Sequence, residues 1–197
     1  MANPGGTFTL GGDLPVTRMG YGTMQLTGPG VWGPPRDHDT AVAVLREAVE
    51  RGVTHLDTSN YFGPHTVNTL IKEALRPYPE SLVIVTKVGA RRSADKGWPA
   101  ALSAEDLTRA VHDDLRNLGV DALGGFSPPQ SGLLDDCAAR AGATPMQVAP
   151  AWLPRRSPSM LLIPGTSSPE HLRENLAAAD LELPGDVLAD LDRIGTA

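Results

Sequence analysis

The sequence predicts an α/β fold, an incomplete or rearranged (β/α)8 barrel of the TIM type with an N-terminal β-hairpin. Strand-like and helix-like segments alternate at a spacing of about 30 residues, which is typical of βαβ units and a parallel sheet. Residues 81–87 are almost continuously apolar, as a strand buried on both faces requires. A complete eight-stranded barrel needs about 250 residues, and because this chain has 197 we expect fewer than eight strands.

The first predicted element is the hairpin. Two β-like runs, residues 7–10 and 14–17, flank Gly11 and Gly12, which can adopt the positive φ of a tight turn. Helices and strands then alternate, and the first three helices each end before a Gly or a Pro. The later strands are predicted at residues 18–23, 53–57, 81–87 and 160–163, and the helices at 37–51, 66–76, 103–118 and from Ser168 onward.

Composition and charge argue against several functional classes for this chain. The net charge of −6 argues against an extended phosphate-neutralising surface, so no nucleic-acid partner is expected. No apolar run reaches the roughly 18 residues of a membrane span, and no secretion signal is recognisable. The lone Cys137 cannot form an internal disulfide, which favours a cytoplasmic location. The five histidines lack metal-ligand spacing, so no metal site is predicted.

Two charged side chains mark a candidate active site. Asp57 ends one predicted strand and Lys87 ends the next, so parallel pairing would bring them together at the carboxyl ends of the strands. Such a pair keeps the lysine charged, and the lysine can lower the pKa of a neighbouring phenol so that it donates a proton. The spacing alone leaves open an ion pair that only closes the end of the sheet.

Five segments carry a further pattern. They read MGYGTM at residues 19–24, DTSNYFG at 57–63, VIVTK at 83–87, LRNLGVD at 115–121 and IPGTSS at 163–168, the last continuing as PEHLREN to residue 175. In these segments, which extend over nearly the whole chain, the sequence resembles the aldo-keto reductase family. The resemblance implies NADP(H) as cofactor, a small-molecule carbonyl substrate, and catalytic roles for Asp57 and Lys87.

The motif around Asp57 departs from the family pattern. Relatives carry the catalytic tyrosine five residues after the aspartate, and Phe62, which has no proton to donate, occupies that position here. Tyr61 lies one residue earlier, and a shift of one residue points a side chain elsewhere. Tyr61 is therefore the candidate proton donor only if the loop is rearranged.

A second departure lies near residues 123–124. In relatives the LGVD motif leads into a fourth strand that ends in the His or Asn of the catalytic tetrad, whereas here it passes into residues 124–128, which resemble the loop after the seventh strand. We therefore predict one domain over residues 1–197 with an internal deletion. Missing strands would leave two open sheet edges, which either a homodimer or a smaller closed sheet would cover.

The turn at residues 165–168 is the predicted phosphate site, and the alternative is a plain connection between a strand and a helix. It joins a buried strand to a helix capped by Ser168, where N–H groups, hydroxyls and the helix dipole favour an anion. Gly165 stands where many relatives carry a lysine, which predicts weaker binding of NADP(H). The resemblance assigns the 2′-phosphate to Gly165, Thr166, Ser167, Ser168 and His171 and the adenine to Glu174 and Asn175. We expect Gly124, Gly125 and Ser127 to approach the pyrophosphate, with Gly22, Thr23 and Met24 lining its far end.

Two further predictions each concern the local structure of one segment. The helix that begins at Pro145 should stop near Ala149, because Pro150 and Pro154 would each cost about 3 kcal/mol inside a helix. Residues 28–33 spell G-x-G-x-x-G, but prolines follow and no helix opens within the motif, so a loop over the barrel mouth is expected.

Three functions are compatible with these observations. The first is an NADP(H)-dependent carbonyl reductase, weakened or altered, in which Asp57 and Lys87 support a displaced donor such as Tyr61. The second is a catalytically inactive protein that still binds the nucleotide, which Phe62 and the missing strands favour. The third, supported only by Phe62, is non-redox acid–base chemistry such as dehydration or cyclisation.

Overall fold

The helices and strands form close to the positions that the local sequence signals indicate. The computed structural model describes residues 3–121, 125–126, 145–156 and 160–193. The strands are β1 (Thr7–Leu10), β2 (Leu14–Thr17), β3 (Tyr21–Gly22), β4 (His55–Asp57), β5 (Val83–Thr86) and β6 (Gly125–Phe126). The helices are α1 (His38–Glu50), α2 (Thr66–Leu75), α3 (Ala104–Leu118), α4 (Pro145–Arg156), α5 (Pro169–Ala177) and α6 (Gly185–Arg193), with 3-10 turns at Met24–Leu26 and Ala178–Asp180.

Side-chain caps define the ends of the helices. The Asp37 carboxylate accepts the Thr40 N–H at 2.8 Å at the start of α1. Ser103 accepts the Asp106 N–H at 3.1 Å at the start of α3, which ends at Gly119 with φ of 68°. At 15 residues α3 is the longest helix in the described ranges, and no helix there is long and apolar enough to cross a membrane.

A parallel sheet carries the candidate site. Its strands run in the order β3-β4-β5-β6, and Leu56 of β4 pairs with Tyr21 on one side and Ile84 on the other. Residues 160–165 run parallel to the segment that contains β3, on its free side, through isolated bridges from Leu162 to Met19 and from Gly165 to Gly22. The predicted strand at residues 160–163 is therefore present only as bridges. All these segments end at the same edge of the sheet, where their loops meet.

The core lies between the sheet and its helices. Helices α1 and α2 pack side by side against β4, and Leu45, Leu56 and Ile71 at this contact are completely buried. Burial of each such side chain contributes about 1.5–3 kcal/mol. The predicted hairpin β1–β2 covers the other face of the sheet, where Val16 packs against Val83 and Val85.

Helix α4 contradicts the prediction for its sequence. It continues through Pro150 and Pro154 to Arg156, so the expected stop near Ala149 is wrong. Tertiary packing overrides the local cost, because the C-terminal half of α4 buries its tryptophan against α6. The apolar cluster consists of Trp152, Leu183, Val187 and Leu191, and burial of a tryptophan and three aliphatic residues is worth more than the roughly 3 kcal/mol per proline.

The glycine-rich segment at residues 28–33 is a loop, as predicted. The Trp32 N–H donates to the Gly28 carbonyl at 3.3 Å, and no helix begins within the segment. After β4, the Gly63 N–H donates to the Val31 carbonyl at 3.2 Å. This bond ties the segment, hereafter the mouth loop, to the carboxyl-terminal side of the sheet.

Candidate active site

Asp57 and Lys87 meet where the sequence places them, at the carboxyl ends of β4 and β5. The Lys87 Nζ donates to Oδ1 of Asp57 and lies 3.4 Å from the Thr58 carbonyl oxygen. The side chain of Asp57 is 7% exposed and that of Lys87 is 29% exposed. The ammonium is therefore the outer member of the pair, the one that a ligand entering from the mouth would meet first.

Burial governs the proton affinity of Asp57. It raises the pKa of this carboxyl above its ordinary value, and the hydrogen bond and charge of Lys87 lower it only in part. Each charge compensates the other in a region with little water. Loss of either partner would leave a buried charge unpaired, which typically costs about 3–5 kcal/mol.

Phe62 is the aromatic residue beside Lys87. The centroid of its ring lies 5.3 Å from the Lys87 Nζ, and the residue is buried. The ring of Tyr61 lies 6.4 Å from that of His65 instead. In the described part of the chain, no hydrogen bond joins Tyr61 to Asp57 or Lys87. The structure thus brings the predicted donor to neither member of the pair.

The surroundings of Tyr61 explain this placement. Burial raises the pKa of the Tyr61 phenol, and the nearest charges are on α3, chiefly Asp113 and Arg109. Tyr61 therefore faces α3, whereas Phe62, the next residue, faces the pair. A shift of one residue changes the direction of the side chain, as the sequence comparison with relatives anticipates.

A buried polar network behind the pair has no counterpart in the sequence-based prediction. The Thr58 hydroxyl donates to Oδ1 of Asn68 at 2.8 Å. The Asn68 amide donates to Oδ1 of Asp114 at 2.6 Å, and the Thr86 hydroxyl donates to the same oxygen at 2.8 Å. Thr58 directly follows β4 and Thr86 ends β5. The network therefore fixes the two strand ends from which Asp57 and Lys87 project.

Asp114 is the centre of this network. It is completely buried, and burial raises its pKa to about 6, although the bonds from Thr86 and Asn68 oppose that rise. Helical periodicity could have identified it, because position 114 lies seven residues after Leu107 and four before Leu118, on the predicted apolar face of α3. A carboxylate at a core position implies buried donors around it.

The turn at residues 165–168 is held rigidly beside β3. The Thr166 hydroxyl oxygen accepts the Ser168 N–H at 3.1 Å, and the Ser168 hydroxyl oxygen accepts the His171 N–H at 3.3 Å, which caps α5. The phenol of Tyr21, a fully buried residue, donates to the Thr166 carbonyl. The core of the protein thus positions the predicted phosphate site directly.

The groups in this turn fit a phosphate. The hydroxyl of Ser167 is exposed, and α5 presents its positive dipole end here. A Cβ at Gly165 would lie 2.6 Å from the Gly22 carbonyl oxygen, so no larger side chain fits there without movement. Glu170 in the first turn is an acidic neighbour, but it is exposed to solvent. The donor set therefore matches the anionic end of a dinucleotide.

The other predicted cofactor residues lie at different depths. Thr23 is completely buried, and its N–H and hydroxyl donate to the Asp57 carbonyl at 3.0 and 2.9 Å. Met24 and Ser167 line one cleft of about 510 Å³. On α5, Glu174 is exposed and Asn175 is buried. Gly125 lies in β6, whereas Gly124 and Ser127 lie outside the described residues.

These features define a class of protein, an α/β protein with a candidate active site at the carboxyl ends of parallel strands and a hydroxyl-rich turn beside β3 that suits an anion. The model of the aldo/keto reductase family matches residues 18–127 and 130–196. The chain belongs to this family.

Individual relatives agree with this assignment. Pyridoxine 4-dehydrogenase of Escherichia coli (strain K12) is 41% identical over 280 aligned positions, which cover 95% of this chain and 98% of the relative. An oxidoreductase of Schizosaccharomyces pombe is 26% identical over 98% of this chain and 91% of its own length. The alignments therefore reach from end to end of this chain and, with gaps included, across almost the whole of both relatives.

Solved structures show the same fold. An aldo-keto reductase of Bacillus halodurans in its holo form superimposes with a TM-score of 0.74 at 16% identity, covering 95% of both chains. An aldo-keto reductase of Klebsiella pneumoniae in complex with NADPH superimposes with a TM-score of 0.69 at 18% identity, covering 95% of this chain and 94% of that one. These similarities place the chain in the (β/α)8 barrel fold class.

Proposed function

We propose that this chain is an NADP(H)-dependent oxidoreductase that reduces a small-molecule carbonyl compound at the Asp57–Lys87 pair. The observation that carries the proposal is the buried, hydrogen-bonded pair at the carboxyl ends of two adjacent parallel strands. Family membership and the hydroxyl-rich turn at residues 165–168 support it.

Lys87 is the proton donor in this proposal. NADPH, when bound, supplies the hydride for the carbonyl carbon. The Lys87 Nζ donates a hydrogen bond and then a proton to the carbonyl oxygen, because Phe62 at 5.3 Å has no acidic hydrogen. Asp57 holds the ammonium and compensates its charge, and solvent returns the proton to Lys87. Tyr61 could replace Lys87 as donor only after rotation away from α3.

The substrate to test first comes from the 41% identical relative. That protein is a pyridoxine 4-dehydrogenase, so we propose pyridoxine with NADP⁺, and the corresponding 4-aldehyde with NADPH, as the initial pair. A positive result with either compound would identify the substrate pair, and the two kcat/KM values together would show which direction is faster.

Substitutions in the pair test the mechanism. We expect Lys87→Met and Asp57→Asn to lower kcat at least 100-fold while NADPH still quenches tryptophan fluorescence. Phe62→Tyr should raise kcat, because it returns a phenol to the position beside Lys87. Tyr61→Phe should leave kcat unchanged; a loss as large as that of Lys87→Met would identify Tyr61 as the donor instead.

A second candidate function is nucleotide binding without hydride transfer. The placement of Phe62 against Lys87 favours it, because the proton donor of relatives is missing at this position. It predicts that NADPH binds and protects the fold against heat but that no carbonyl compound is reduced. Turnover by the wild-type protein that Asp57→Ala abolishes would refute this candidate.

We also infer that the barrel is shortened by an internal deletion. The alignment to the Escherichia coli relative extends over 280 positions although this chain has 197 residues. In addition, β6 follows α3 closely in sequence and pairs directly with β5. Size-exclusion chromatography with light scattering separates the two ways of covering the open edges: a homodimer doubles the mass, and a smaller closed sheet leaves it at 20.8 kDa.

A further inference from the structure

We infer that Asp114 of α3 is a positioning residue for the reaction at the Asp57–Lys87 pair. Its carboxylate holds the carboxyl ends of β4 and β5 from behind, so that the two charged side chains keep the relative position that proton transfer needs. Asp114 acts through residues that are neighbours of the pair in the sequence. The inference rests on the proposed function, since it concerns the geometry of the same site.

The sequence neighbours of the pair point away from it, towards the helices. Asp57 ends β4 and is followed by Thr58. Thr86 ends β5 and is followed by Lys87. Successive side chains of an extended chain point to opposite sides, so the pair and the two threonines lie on opposite sides of the strand ends. The threonine hydroxyls accordingly donate to side chains of α2 and α3.

One carboxylate oxygen joins the two strand ends. Oδ1 of Asp114 accepts the Thr86 hydroxyl at 2.8 Å and the Asn68 amide at 2.6 Å. Oδ1 of Asn68 in turn accepts the Thr58 hydroxyl at 2.8 Å. Asp114 therefore reaches β5 directly and the end of β4 through one residue of α2. Displacement of this oxygen would release the two strand ends from each other and disturb the pair that they carry.

The same face of α3 also holds the loop after β4. The backbone of Asn60 lies close enough to the Asp114 carboxylate to lower its pKa. One turn further along α3, the Asn117 amide donates to Oδ1 of Asn60 at 2.7 Å. Positions three residues apart are neighbours on a helix. This face of α3 therefore also fixes the loop that brings Phe62 beside Lys87.

A carboxylate at this position destabilises the fold. Asp114 is completely buried, and its Oδ2 has no hydrogen-bond partner among the described residues. An apolar residue of similar size would fill the same space without burying a charge. Such a residue could not accept two hydrogen bonds on one atom, as Oδ1 does. Because a local loss of stability commonly accompanies function, this arrangement favours a positioning role over a packing role.

The experiment compares threonine-to-valine substitutions at the two ends of the sheet. Thr86→Val keeps the shape of the side chain and removes its bond to Asp114. Thr54→Val is the matched control, because Thr54 precedes β4 at the opposite end, where its hydroxyl oxygen accepts the Thr17 N–H at 2.7 Å.

The kinetics of the two variants should differ. With NADPH and the 4-aldehyde of pyridoxine, Thr86→Val should lower kcat about tenfold and leave both KM and the Kd of NADPH unchanged. Thr54→Val should lower the urea midpoint and leave kcat unchanged. An equal loss of kcat in both variants would overturn the inference, because the loss would then follow stability alone.

Substitutions of Asp114 itself separate positioning from charge. Asp114→Asn retains an oxygen that can accept both hydrogen bonds, so it should keep most of kcat. Asp114→Leu removes that acceptor and should lower kcat about 100-fold, although both variants remove the same buried charge. Wild-type kcat in Asp114→Leu would overturn the inference. If Asp114→Leu does not fold, Thr86→Val decides the question, because it changes no charge.

A measurement without turnover separates this inference from the proposed function. Lys87 lowers the pKa of the Asp57 carboxyl through its hydrogen bond and its charge, so displacement of the lysine should let this carboxyl titrate about one pH unit higher. Carbon-13 NMR of the Asp57 carboxyl, assigned by its loss in Asp57→Asn, should show this rise in Thr86→Val and not in Thr54→Val. An unchanged titration in Thr86→Val would overturn the inference even if the wild-type protein reduces the aldehyde. The rise would support it even if no turnover occurs.

Discussion

His55 should make the stability of the protein depend on pH. Its side chain is buried on β4, with 2% of the residue exposed, and neither ring nitrogen makes a well-formed hydrogen bond within the described part of the chain. A Cβ at Gly20 would lie 2.1 Å from its Nε2, so the ring fills the space that this glycine leaves. Burial lowers the pKa of His55 to about 4, and the backbone of Thr17 opposes this only in part.

The sign and size of the pH effect on stability follow from the difference in proton binding between the folded and unfolded states. The pKa of His55 in the folded state is about 4, below the ordinary value of 6.5 that holds in the unfolded chain. The unfolded state therefore binds more protons between these values, and the stability from a neutral His55 is lost as the pH falls from about 6.5 towards 4. Between pH 7 and pH 5, His55 alone should lower the free energy of unfolding by about 2 kcal/mol.

The assay is urea unfolding of the wild-type protein and of His55→Leu at pH 7 and pH 5, followed by circular dichroism. The stability difference between the two proteins should shift by about 2 kcal/mol in favour of the variant at pH 5. His38→Gln is the matched control. Hydrogen bonds to Asp39 and Glu73 raise the pKa of this exposed histidine, so its removal should disfavour the variant at pH 5 instead.

The assay compares the stability difference between variant and wild type at two pH values, because other groups titrate in the same pH range. The buried carboxyl of Asp114 has a pKa of about 6, so its contribution to stability rises as the pH falls and opposes that of His55. The wild-type profile alone therefore does not isolate the contribution of His55. If the difference between His55→Leu and wild type is the same at both pH values, then His55 is not held neutral and the reasoning fails.

Three further predictions concern stability. Asp114→Asn removes a buried charge, so it should raise the free energy of unfolding at pH 7 by up to about 3 kcal/mol. The gain should shrink as the pH falls below 6, and an unchanged urea midpoint at pH 7 would contradict the prediction. Gly22→Ala should lower both the melting temperature and the affinity for NADPH, because the new Cβ would lie 2.5 Å from the Ile163 carbonyl oxygen. Gly185 has open space around it, so Gly185→Ala should change neither quantity. Pro154→Ala restores a hydrogen bond within α4, so it should raise the free energy of unfolding by up to about 3 kcal/mol, measured as a higher urea midpoint. Destabilisation would show that the proline is required for packing.

Elements with local signals were predictable from the sequence. The ends of α1 and α3 follow from Asp37, Ser103 and Gly119, whose side chains or positive φ act within one turn. The hairpin and the meeting of Asp57 with Lys87 follow from alternation of apolar residues and from parallel pairing of consecutive strands. These predictions need only near neighbours in the chain or the general rules of a parallel sheet.

Features that depend on distant packing were not predictable. The continuation of α4 through its prolines depends on Trp152 meeting α6, and the network around Asp114 joins residues up to 46 positions apart. The position of Arg92 between two tryptophans likewise joins separate loops. Single-sequence periodicity identifies a buried position but does not name its partner, so these contacts required the structure.

The hydrogen bonds that hold the strand ends of the candidate site do not pass through Phe62. Thr23 holds the Asp57 carbonyl from β3, and Thr58 and Thr86 are bonded into the network around Asp114. None of these contacts involves residue 62, so the positions of Asp57 and Lys87 do not depend on a phenol at this residue. It follows that Phe62→Tyr should increase proton donation without any second substitution, since the ring already lies beside Lys87 and only its hydroxyl is missing.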